Sequence, residues 1–85
     1  MSAQAKFIRK YVGVIVEHRP DGSKTPIRII FPEGRCFDID LVTERRRATA
    51  TKAGGCGMRY TIRLHGQERY IFEDDERWFV ESIDV

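Results

Sequence analysis

The sequence predicts an all-β domain, a small and strongly bent antiparallel barrel, on three observations. Apolar residues alternate with period two along most of the chain, turn signals recur every eight to twelve residues, and no stretch joins a helical apolar stripe to helix caps. The length fits one domain: at 85 residues the chain can bury only roughly 60–65 % of the surface its unfolded form exposes, enough for one modest core. With 41 % hydrophobic and 33 % charged residues the composition is that of a folded globular chain rather than a disordered one.

Residues 1–6, "MSAQAK", show no periodicity and read as a flexible leader, so the domain is assigned to residues 7–85. In "YVGVIVEH" Val12, Val14 and Val16 share one side of a strand, with Tyr11 and Ile15 on the other, which suggests cover on both faces. "RPDGSKT" is a turn, with Pro20 presetting φ and Asp21-Gly22 supplying the positive-φ position. "PIRIIF" follows as the second arm of a hairpin, with Ile27, Ile29 and Phe31 on one side, and "PEGR" breaks it. "CFDIDLV" places Phe37, Ile39 and Leu41 inward and Cys36, Asp38 and Asp40 outward. "TERRRATATK" is read as a continuing or bent strand, a short helix over "TERRRA" being the alternative. "MRYTIRLH" sets Met58, Tyr60, Ile62 and Leu64 on one face, and "ERYIFE" and "RWFVE" complete five to seven strands, separated by the acidic turn "DDE". A two-residue turn at His65-Gly66 and a longer one through Gln67 would put opposite faces of "ERYIF" into the core.

An all-β chain of this size must manage its sheet edges, and curling toward closure does so. In strand spacing the chain resembles the SH3-like small barrels of bacterial proteins, and an OB-like barrel is the alternative, although it would carry a helix where "TERRRATATK" stands. No motif names a family.

Function is approached by elimination. The longest early apolar run, "YVGVIV", is too short for a membrane span or a signal-peptide core, so a cytoplasmic protein without membrane contact is expected. Two cysteines twenty positions apart then read as free thiols. The glycine-rich "KAGGCGMRY" lacks the third glycine of a dinucleotide loop and the Gly-Lys-Ser/Thr of a phosphate loop, and it leads into a strand, so it is read as a hairpin turn. Cys56 at its tip has only His18 and His65 as possible bases, neither at a recognisable spacing. The same four Cys and His residues lack the paired spacing of a zinc site, and the "EDDE" run of Glu73 to Glu76 lacks the alternation of a calcium loop. No cofactor, no metal and no enzymatic activity is expected.

One constellation survives. From Arg45 to Arg63 stand six basic residues, Arg45, Arg46, Arg47, Lys52, Arg59 and Arg63, with no acid among them. A hairpin centred near Gly55 would pair Arg47 with Arg63, Thr49 with Thr61, Thr51 with Arg59 and Arg45 with His65, leaving Ala48–Ile62 and Ala50–Tyr60 on the core side. Like charges across a strand pair are destabilising, so either acids from elsewhere neutralise this face or it is kept for an anionic partner. The predicted function is therefore a non-enzymatic binding module, with nucleic acid or an acidic protein surface held through Arg45, Arg47, Lys52, Arg59 and Arg63, and Tyr70 available for stacking. The alternative is a protein-interaction module using an aromatic surface near Trp78 and Tyr70, since Trp78 and Phe79 point to opposite faces and only one is expected fully inside.

Overall fold

A computed structural model describes residues 6–50 and 53–83. The described part of the leader is Lys6; residues 1–5 lie outside it. Seven antiparallel strands form one strongly curled sheet: β1 (Phe7–His18), β2 (Lys24–Ile30), β3 (Cys36–Asp38), β4 (Leu41–Thr49), β5 (Cys56–Leu64), β6 (Gln67–Asp74) and β7 (Arg77–Ile83), in the spatial order β3-β2-β1-β7-β6-β5-β4. No helix occurs among the described residues, so the helical alternative over "TERRRA" is replaced by strand β4.

One shared strand and one short connection produce the curl. Phe7–Val12 of β1 pairs with β7, while Gly13–His18 of the same strand pairs with β2. At the far side β3 pairs with β2 and β4 with β5, yet only Ile39 and Asp40 separate β3 from β4. The Ile39 N–H donates to the Ile27 carbonyl at 2.9 Å and the next N–H, that of Asp40, donates to the Arg63 carbonyl at 2.9 Å. The chain thus steps from one end of the sheet to the other between consecutive residues, which makes the sheet a half-barrel tied at its ends.

The concave face holds the main core, Val12, Ile29, Tyr60, Ile62, Ile71 and Trp78, flanked by Val14, Val16, Phe31, Ile39, Val42, Met58, Leu64 and Val80. Burial of such side chains contributes about 1.5–3 kcal/mol each. Met58, Tyr60, Ile62 and Leu64 share this face as the alternation of β5 requires. Two expected inward residues do not: Leu41 is 54 % exposed and Ile27 is 44 % exposed. At Leu41 the step through Ile39–Asp40 resets the alternation, so Val42 turns inward instead. At Ile27 a bulge lets Ile15 face Arg28 and Val16 face Pro26, skipping the isoleucine and burying the proline. The second face of β1 is less covered than expected, Tyr11 and Ile15 remaining exposed.

A second core lies on the convex face. The rings of Phe72 and Phe79 stack at 5.2 Å with a 10° interplanar angle, and both are fully buried together with Ala50. Trp78 and Phe79 are therefore both inside, in different cores, where the sequence suggested room for one. What covers the phenylalanines is the glycine-rich turn. Ala50 N–H donates to the Gly55 carbonyl at 2.8 Å, Gly54 N–H donates to the Ala50 carbonyl at 2.7 Å, and the Ala53 amide donates to a Glu81 carboxylate oxygen at 2.7 Å. Gly55, at φ 89°, lies under the Arg9 guanidinium, which itself rests 5.7 Å above the Phe79 ring. In β5, a Cβ on Gly57 would sit 2.4 Å from the Glu73 carbonyl oxygen, so no side chain fits there.

Candidate binding cleft

The turn at His65-Gly66 decides which side chains build the site. Leu64 faces Gln67, and His65 and Gly66 take positive φ angles of 49° and 77°, so the turn has two residues. Of the two registers the sequence left open, this one directs Arg69 and Ile71 to the concave face and Tyr70 and Phe72 to the convex face.

From there β6 runs toward β7, but the two strands pair only over Phe72–Phe79, Glu73–Trp78 and Asp74–Arg77. Below that seam they separate, and a cleft of about 680 Å³ opens between Gln67–Ile71 on one side and Val80 on the other. Its floor is apolar, formed by Ile29, Phe31 and Phe37 from the β2–β3 side and Ile62, Leu64 and Ile71 from the β5–β6 side. The Phe31 and Phe37 rings meet edge to face at 5.6 Å, and His65 stands edge-on to Phe37 at 6.2 Å. Arg35 lies over both rings, 5.3 Å from Phe31 and 5.7 Å from Phe37, and ion-pairs with Glu33. Arg69 completes a basic rim; its donors go to the side-chain oxygen of Gln67 and the carbonyl of Glu68, both neutral acceptors. A concave apolar floor with a few polar groups at its edge is the usual form of a ligand site. Of the predicted binding residues Tyr70 alone lines this cleft; the apolar floor and the arginines of its rim were not singled out from the sequence as binding residues. A signal existed in Phe31 and Phe37 flanking "PEGR", two large rings on a segment too short to bury both.

The arginines of the predicted basic face are distributed differently. The hairpin pairs Arg45 with Tyr60, Arg46 with Arg59, Arg47 with Met58 and Leu41 with Arg63, which corrects the register expected from a turn at Gly55. The turn instead closes with Thr49 opposite Cys56, an odd register where an even one was expected, and a bulge at Thr43 shifts only Leu41 and Val42. Arg45 and Arg47 consequently share the side of Tyr60 and Met58, Arg45 lining a second cavity of about 510 Å³ with Tyr60, Ile39 and Asp40 at the other end of the barrel. Arg46, Arg59 and Arg63 face the convex side. Lys52 lies outside the described residues.

Acids meet the convex arginines one by one. The anticipated Arg47–Arg63 pair does not form; Arg46 and Arg59 face each other instead, with Glu44 between them at 3.9 Å and 3.5 Å. Directly across the strands Arg63 faces Glu68, Arg77 faces Asp74 and Arg9 faces Glu81. These partners are not the expected "EDDE" turn, Asp38 or Asp40, except for Asp74. Tyr70 is 44 % exposed and carries the Arg59 guanidinium 4.3 Å above its ring. Trp78, at 8 % exposure, packs at 5.0 Å from Tyr60 inside the concave core and presents no surface.

Cys36 and Cys56 are free and exposed. Among the described residues no three His, Cys, Asp or Glu side chains gather in a metal-binding group, and no helix is long and apolar enough to cross a membrane. No family model, curated protein or solved structure matches this chain.

Proposed function

We propose that this chain is a non-enzymatic binding module that receives a segment of a protein partner in the cleft between β6 and β7. The observation that carries the reading is the apolar floor left uncovered where the two strands separate, ringed by Arg35, His65 and Arg69. Buried apolar area supplies affinity at such a site, and the rim sets orientation. This is the aromatic-surface reading of the sequence moved to other residues: the anchors are Phe31 and Phe37 of a half-barrel akin to SH3-like grooves, with Trp78 inside. The two free cysteines fit a cytoplasmic setting.

Isotope-labelled protein titrated with capped peptides rich in valine and isoleucine tests the reading. Methyl signals of Ile62, Leu64, Ile71 and Val80 should move together, and Phe37→Ala should weaken binding about tenfold. Shifts scattered over the convex face, or none at saturating peptide, would reject the cleft as the site.

One observation favours a second reading, contact with nucleic acid: Arg59 flat on the exposed Tyr70 ring forms a surface on which a base can stack. The acids opposite the convex arginines weaken the field such contact needs. Salt-dependent retention of a single-stranded oligonucleotide at low ionic strength, lost in the Arg46→Glu/Arg63→Glu variant, would favour it over the cleft.

A further inference from the structure

Resting on the cleft as the binding site, we infer that the partner segment enters as an added β-strand along the free edge of β6, and that the side chains it turns to the concave floor are apolar except for one acidic residue opposite Arg69. In an antiparallel sheet, one residue in two turns its N–H and C=O to each neighbour. On the β5 side Gln67 to Glu73 are all paired; on the β7 side pairing stops at Phe72, and among the described residues no strand takes its place along Gln67–Ile71. That length corresponds to about 15 Å of edge, room for five residues of an extended chain. Backbone groups along such an edge would bind a strand in register, and the neighbouring apolar pocket would select every second side chain.

The chemistry of the segment follows from the rim. Arg69 shares the concave face with Ile71, and no carboxylate lies within ion-pair distance of it among the described residues. Arg35 shares Glu33 with Lys10, and His65 adds a third group that can carry positive charge. Concave-facing side chains of an added strand stand beside Arg69 and Ile71, whereas the intervening ones turn to the convex face with Glu68 and Tyr70, so the acidic residue belongs to the concave-facing set, opposite Arg69. A second copy of this chain is a poor occupant. Its β4 edge would bring Arg45, Arg46 and Arg47 against Arg69, and the free start of β2 contains Pro26, which lacks the N–H a ladder requires.

The test uses two capped seven-residue peptides, both with threonine at positions two, four and six and valine at one, three and seven, and with either glutamate or lysine at position five. Adding the glutamate peptide should slow amide exchange at least tenfold at seam-facing positions within Gln67–Ile71, and its Kd should be at least fivefold below that of the lysine peptide. Arg69→Glu should reverse that preference. A glutamate peptide N-methylated at alternate residues should bind at least tenfold more weakly, a control that needs no protein variant. Movement of the cleft methyl signals without slowed exchange along β6 would overturn strand addition while leaving the cleft reading intact, whereas absence of methyl movement would overturn both. Protection along β4 instead, or protection that grows with protein concentration without peptide, would also overturn the inference.

Discussion

Lys24 on β2 and Glu73 on β6, 49 positions apart in sequence, form an ion pair across the end of the barrel opposite the cleft. Its carboxylate side is only 10 % exposed, so the lysine is what keeps that charge paired. Lys24→Met should cost about 1–2 kcal/mol, because a poorly hydrated carboxylate is left without its donor. Urea unfolding followed by circular dichroism measures the loss.

The same pair has a pH signature. The hydrogen bond to Glu73 raises the Lys24 amine above its ordinary 10.5. A group whose folded pKa lies higher contributes stability fully below the unfolded value and loses it as pH rises through the folded one. The wild-type protein should therefore lose part of its stability above about pH 10.5, and Lys24→Met should show a correspondingly smaller decline over that interval. Parallel alkaline unfolding curves of the two proteins would contradict this.

Gly57→Ala places a methyl 2.4 Å from the Glu73 carbonyl oxygen, where both partners belong to paired strands and cannot yield cheaply. About 2–3 kcal/mol of destabilisation is expected. Gly13→Ala is the matched control: its new Cβ would stand 3.5 Å from Ile30, an ordinary contact, so its stability should stay within about 0.5 kcal/mol of wild type. Thermal melts of the two variants distinguish a steric requirement from a general dislike of side chains at glycine.

Asp75 and Glu76 form the turn between β6 and β7 with φ angles of 52° and 64°, a conformation that neither residue favours as glycine would. The Asp75→Asn/Glu76→Gly variant supplies the residues such a turn prefers and should stabilise the domain by about 0.5–1 kcal/mol. A melting temperature unchanged or lowered would mean the acidic pair has compensating contacts.

Arg59 is held between the Tyr70 ring and Glu44. A double-mutant cycle over Arg59→Ala and Tyr70→Ala should give a coupling of about 0.5–1 kcal/mol, the range of a partly exposed cation–π contact. Additive losses would show that the stack is geometric only.

Strand existence and the alternation of β5 were legible in the sequence because "MRYTIRLH" is a long, strictly periodic run. The turns at Asp21-Gly22 and Glu33-Gly34 were legible for a similar reason, each glycine at positive φ meeting a backbone need. Register was not. The bulges at Ile27 and Thr43 insert one residue without a compositional mark, and each inverts every side chain beyond it. At the β4–β5 turn it is the closure of Thr49 on Cys56, an odd register where an even one was expected, that moves Arg45 and Arg47 away from Arg59 and Arg63 and divides the predicted arginine face into two. The cleft was hidden for another reason: it exists because β6 and β7 stop pairing at Phe72, and nothing in "ERYIFE" or "RWFVE" signals where two compatible strands part company.

The step through Ile39 and Asp40 ties the sheet at a single point, and β1 passes between its halves at Gly13. Filling the β6–β7 seam would convert an open curl into a closed ring, so the partner's strand would complete the barrel as its missing stave.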